Sequence, residues 1–141
     1  MTTPTQTELA TMDTINNLAV EIHQDNVDAG WWQCIATGTD FRREVNSNTR
    51  YGKAIICEKL VLIHSEVSEA LEGYRKNQQD EKLTNREAVE VELSDAVIRI
   101  LDLAGALSLD IGGAIYEKRA YNKQRADHKL ENRSAVGGKA F

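Results

Sequence analysis

Apolar residues recur at three- and four-residue spacing along most of the chain, a period that predicts helices rather than strands. Leu9, Met12, Leu18, Ile22 and Val27 carry a first helix from about Thr7 to Ala29, with Gly30 as its C-terminal stop. A loop containing Gly38, Asn46, Ser47 and Asn48 follows. Ile56, Leu60, Ile63, Val67, Ala70 and Tyr74 form the buried stripe of a long second helix, from about Tyr51 to Lys76. Val89, Leu93, Ala96, Ile100, Leu103 and Leu107 form the stripe of a third, ending near Leu107. Thr84-Asn-Arg-Glu87 reads as its capping box, the threonine and glutamate each satisfying a backbone N–H of the first turn. Asp110 caps a fourth helix ending near Arg125, and Gly112 and Gly113 mark either a close helix approach or a frayed first turn. After Arg125 the apolar period stops, which predicts a loop or flap.

The short stretch NQQDEKL between the second and third helices predicts an antiparallel hairpin. Level residues of such a hairpin have numbers with a constant sum, and Glu66 with Asp95 gives the same sum as Glu69 with Glu92. Each acid pair is spaced i, i+3, so both members leave one side of their helix. At about 100° per residue, both pairs fall on the same-handed shoulder of their stripes. Four carboxylates in one pocket need a counter-charge, and an all-oxygen set favours Mg²⁺, Mn²⁺ or Ca²⁺ over zinc. The competing reading is four ordinary solvated acids, and the matched register across the hairpin weighs against it.

With 141 residues and 41% hydrophobic content, the chain is long enough for one compact core. Its only proline is Pro4, so the fold class is all-α, a helical bundle of about four helices. The expected organisation is one domain over residues 1–125 and an irregular basic tail over 126–141. Two long apolar stripes with only two further helices to cover them predict completion of the bundle by oligomerisation. No apolar run is long enough to span a membrane, and the polar start has no signal-peptide character. Cys34 and Cys57 share no metal-ligand spacing and read as free thiols of a reducing, cytoplasmic compartment. The net charge of −5 combines an acidic body with a basic end, seven basic against three acidic residues from Glu117 to Phe141. An acidic body argues against nucleic-acid binding, while a small basic segment near a metal cage suits a polyphosphate; an ordinary solvated tail fits the charge as well.

The segments EKLVLIHSEVSEALEGYRK, EVELSDAVIRILDLA and YEKRAYNKQR resemble the MazG-like all-α nucleoside triphosphate pyrophosphohydrolases, whose motif is E-x-x-E, a spacer, then E-x-x-D. The resemblance covers about Tyr51 to Arg125. It implies Mg²⁺-dependent cleavage of a nucleoside or deoxynucleoside triphosphate to the monophosphate and pyrophosphate, with Mn²⁺ as a possible substitute. It also implies a homodimer or homotetramer. Glu66, Glu69, Glu92 and Asp95 become the metal ligands, with Glu69 and Glu66 the catalytic carboxylates. Many members carry E-E-x-x-E, and Ser65 departs from that doublet. Asn122, Lys123 and Arg125 match an N-K-x-R segment that binds phosphate. Lys59, about two turns before Glu66, either contacts phosphate or balances charge.

Trp31 and Trp32 correspond to aromatic residues that help hold the base. Adjacent tryptophans at helical spacing diverge by about 100°, which predicts one stacking and one packing. His23 and Asn26, at i and i+3, are candidate base readers or structural residues. From a different class comes the alternative of a non-catalytic helical oligomerisation module, with the acids as a structural cation site.

Overall fold

The computed structural model describes residues 3–138; among them the regular structure is helical, without a strand, and the all-α expectation holds. The helices are α1 (Gln6–Asp28), α2 (Phe41–Val45), α3 (Arg50–Lys76), α4 (Ala88–Ala106), α5 (Ile111–Gln124) and α6 (Leu130–Arg133). Residues 139–141 of the expected basic tail lie outside the described residues. Contacts divide the chain into two compact units, one holding the residues up to Asn16 and from Asp110 onward, the other Asn17–Leu109.

In the first unit, Asp110 caps α5 as expected, its Oδ1 accepting the Gly113 N–H at 2.9 Å. Asn16 donates to the same oxygen at 2.7 Å and accepts the Gly112 N–H at 2.8 Å. A Cβ on Gly112 would lie 2.9 Å from the Met12 Cα, so this glycine marks a close helix approach rather than fraying. The segment after Arg125, expected to be irregular, forms a 3-10 turn at Ala126–His128 and then α6. Its order comes from local bonds such as Asn132 Nδ2 to the Ala126 carbonyl, 2.7 Å, which leave no apolar period to read.

In the second unit the expected stop is in place, with Gly30 at φ +83°. The expected loop beyond it contains α2, set by Asp40, which accepts the Arg42 N–H at 2.9 Å. Five helical residues are too few to display a period. Thr49 caps α3, and Asn77 ends it in the left-handed region. The capping box does not form: α4 starts at Ala88, and Glu87 makes no side-chain cap bond. The Asp80 carboxylate instead takes the Lys82 and Leu83 N–H groups at 2.9 and 2.5 Å. Backbone bonds from the Arg86 N–H to the Leu83 carbonyl, 2.8 Å, and from the Asp80 N–H to the Arg86 carbonyl, 3.0 Å, then keep Thr84–Glu87 in the connecting turn. Trp32, Val45, Ile55, Leu103 and Ala106 form the core, flanked by Val27, Phe41, Ile56 and Leu107.

α3 packs against α4 along a seam of small residues. Ala70, Gly73 and Ala96 are buried in it, and a Cβ on Gly73 would come 2.8 Å from that of Ala88. The predicted stripes are therefore only partly covered. Leu60, Val67, Tyr74, Leu93 and Ile100 remain 47, 49, 72, 50 and 40% exposed. The backbones close on the small side chains, which turns the seam toward Glu66 and leaves the bulky row outside. The apolar period marked a side of each helix, but not which neighbour covers it.

Candidate metal centre and adjoining cavity

α3 and α4 bring together one carboxylate oxygen from each of Glu66, Glu69 and Glu92, all within 4.8 Å of one another. Glu66 is buried in the seam, Glu92 half-buried and Glu69 exposed. Burial pushes the Glu92 carboxyl above its ordinary value, and the charges of Glu69 and Glu66 push it further. A site of hard oxygen donors that raises a carboxyl's proton affinity fits a hard divalent cation.

Asp95 lies outside this trio and lines a neighbouring cavity. The level contact of Glu66 goes instead to Arg99, one turn beyond Asp95, whose Nε donates to Glu66 Oε1 at 2.6 Å. Nothing in the acid spacing pointed to Arg99, although a basic residue four positions after Asp95 is a visible i, i+4 signal. Its guanidinium is the cluster's internal counter-charge and a competitor for any metal ion. Arg99→Ala is expected to tighten Mn²⁺ binding about tenfold, since a hydrogen bond to a charged group amounts to roughly 1.5–3 kcal/mol; titration calorimetry reads this directly.

Glu92 also sets a pH dependence. Its folded pKa is raised, so the folded chain holds this proton more tightly than the unfolded chain does. Stability of the cation-free protein should then fall as pH rises from the ordinary glutamate value of 4.5 through the raised one. Saturating Mg²⁺ should remove the fall. Thermal unfolding followed across that range, with chelator and with Mg²⁺, gives both curves.

Two cavities flank the acids. Toward the turn, Glu69, Glu72, Asp80, Glu81, Lys82 and Glu92 are among the residues lining a space of about 380 Å³ whose character is strongly acidic. On the other side, Asn26, Trp31, Lys59, Asp95, Arg99 and Asp102 are among those lining about 230 Å³. The second has aromatic, cationic and amide character as well as acids.

Asp102, 5% exposed, is the organising residue there and was not anticipated from sequence. Its Oδ1 accepts from Trp32 Nε1 at 2.7 Å and meets His23 Nδ1 at 2.9 Å. The Lys59 ammonium stands 3.8 Å from Oδ2 and 4.3 Å above the Trp32 ring. Burial lowers the Lys59 pKa, partly offset by the Asp102 charge. Lys59 thus faces this network and the Trp31 carbonyl, 3.5 Å away.

The tryptophans split: Trp31 is 69% exposed and Trp32 2%. Trp32 as a base-binding residue is corrected accordingly, because both its ring and its N–H are taken up inside the core. His23 packs edge-on to Trp32 at 4.9 Å and serves Asp102, while Asn26 reaches the cavity.

The N-K-x-R residues belong to the other unit. Asn122 has a buried amide oxygen without a partner among the described residues. Arg125 is held by Asp127 in a two-bond fork of 2.9 and 2.6 Å. Lys123 is exposed. Comparison with protein-family models, curated proteins and solved structures finds no match for this chain.

Proposed function

We propose that the chain is a divalent-cation-dependent nucleoside triphosphate pyrophosphohydrolase acting on the cytoplasmic nucleotide pool. The observation that carries this reading is the Glu66, Glu69 and Glu92 trio, held between two helices beside a cavity with an exposed tryptophan. When bound, Mg²⁺, or Mn²⁺ in its place, would neutralise phosphate charge and lower the pKa of water. Glu66 and Glu92 would hold the cation from α3 and α4, and Asp95, outside the trio, would have to turn toward it to join them. Glu69, the exposed member, takes the proton of the attacking water. The water oxygen bonds to the α phosphorus, the bond from that phosphorus to the α,β-bridging oxygen breaks, and pyrophosphate leaves with the electron pair. Lys59 and Arg99 line the cavity next to this centre and supply positive charge for phosphate oxygens.

The exposed row of Leu60, Val67, Leu71, Tyr74, Leu93, Val97 and Ile100 favours association. Helices α3 and α4, read as an antiparallel hairpin, then pair with a second copy in a homodimer or homotetramer. That same row is what the non-catalytic oligomerisation reading would use.

The test is a panel of ribo- and deoxynucleoside triphosphates incubated with purified protein and Mg²⁺. Monophosphate and pyrophosphate in equal amounts are expected. Orthophosphate alone, or no product, overturns the proposal.

A further inference from the structure

We infer that the cavity beside Trp31 selects a nucleobase carrying an exocyclic amino group, as cytosine and adenine do where uracil, thymine and guanine carry a carbonyl, and that Asp102 is the selecting residue. The inference rests on the proposed nucleotide reading and names its substrate class.

Asp102 is a buried acid with one free edge. An ionised carboxylate only accepts hydrogen bonds. Trp32 and His23 engage Asp102 Oδ1, whereas Oδ2 has only the Lys59 ammonium, at 3.8 Å and beyond hydrogen-bond length. Asp102 lines the cavity, so Oδ2 is the acceptor it can present to a ligand. An amino group meets that demand, while a carbonyl in the same place sets two acceptors against each other.

Placement along α4 agrees. Asp102 lies ten residues after Glu92, about 15 Å along the helix at 1.5 Å per residue. That separation leaves room for phosphates at the acids and a base at Asp102, with Arg99 between them. The exposed Trp31 ring borders the same cavity and supplies a flat face for the base. The opposite cavity, lined by five acids, two glutamines and a lysine but no aromatic residue, offers a base no stacking surface.

Trp32, His23 and Lys59 also give Asp102 a structural role, so the decisive test changes the ligand and keeps the protein intact. Binding of dCMP, dUMP and N4,N4-dimethyl-dCMP to the wild-type chain with Mg²⁺ is measured by titration calorimetry. The expected result is dCMP binding at least about tenfold tighter than either of the others, since both lack the amino donor. Equal or tighter binding of dUMP, undiminished binding of the dimethyl compound, or no binding of any of the three overturns the inference. Asp102→Asn keeps an acceptor for Trp32 and adds a donor, so it should reverse the order toward dUMP; an unchanged order in the folded variant also overturns it. These readouts do not depend on turnover. A chain that hydrolyses triphosphates but ignores the amino group refutes the selection alone, and one that prefers dCMP without releasing pyrophosphate refutes the proposed hydrolysis alone.

Discussion

Replacing Glu69 and Glu92 together by glutamine is expected to lower pyrophosphate release by more than about 100-fold while leaving the helices intact. Loss of an outer-shell partner of a metal ligand already costs roughly 10–100-fold in affinity or activity, and this change removes a direct ligand, Glu92, together with the proposed base, Glu69. Glutamine keeps the shape of each side chain and deletes its charge. In the cation-free protein, that deletion relieves the repulsion that burial and neighbouring carboxylates impose on Glu92. The variant's melting temperature in chelator should therefore equal or exceed that of the parent, and Mg²⁺ should no longer raise it. A structural cation site gives a different pattern: the same variant would disperse the oligomer or lose stability in Mg²⁺. Circular dichroism, light scattering and a product assay on one preparation separate the two.

Three of the four acids were legible as one cluster because helical geometry is regular, while the expected partnership of Glu66 with Asp95 gave way to Arg99. Spacing of i, i+3 on both helices and a short connection were enough to gather Glu66, Glu69 and Glu92. What escaped depends on side-chain size across the seam. Alanine and glycine at positions 70, 73 and 96 let α3 and α4 approach closely, which buried Glu66 and left Val67 and Leu93 outside. A periodicity argument weighs hydrophobicity and has no access to how near two backbones come. The helix start at Ala88 escaped for a local reason, since the Arg86 N–H that Thr84 would have capped goes to the Leu83 carbonyl and the Arg86 carbonyl accepts the Asp80 N–H, a turn that spacing does not signal. Asp102 was overlooked because a lone acid inside the apolar run IRILDLAGA carries no spacing signal. A hint was nevertheless present. A carboxylate on a side of α4 that must be buried demands donors and a counter-charge, which His23, Trp32 and Lys59 supply.

Asp102→Ala is expected to destabilise the fold by about 3–5 kcal/mol, the scale of removing one partner from a buried ionic network. Two losses contribute. Trp32 Nε1, inside the core, would have no acceptor, which costs roughly 1–3 kcal/mol. The Lys59 ammonium, over the Trp32 ring, would keep its desolvation and lose its nearest carboxylate. For a chain of this size the melting temperature should fall by roughly 10 °C or more. Asp102→Asn retains an acceptor for the indole and should cost distinctly less, separating the hydrogen bond from the charge. Trp32→Phe removes the donor while keeping an aromatic body, so combining it with Asp102→Ala should cost less than the two changes summed. Strict additivity in thermal unfolding would mean that Asp102 and Trp32 are not coupled through the 2.7 Å bond, and the buried network would lose its central link.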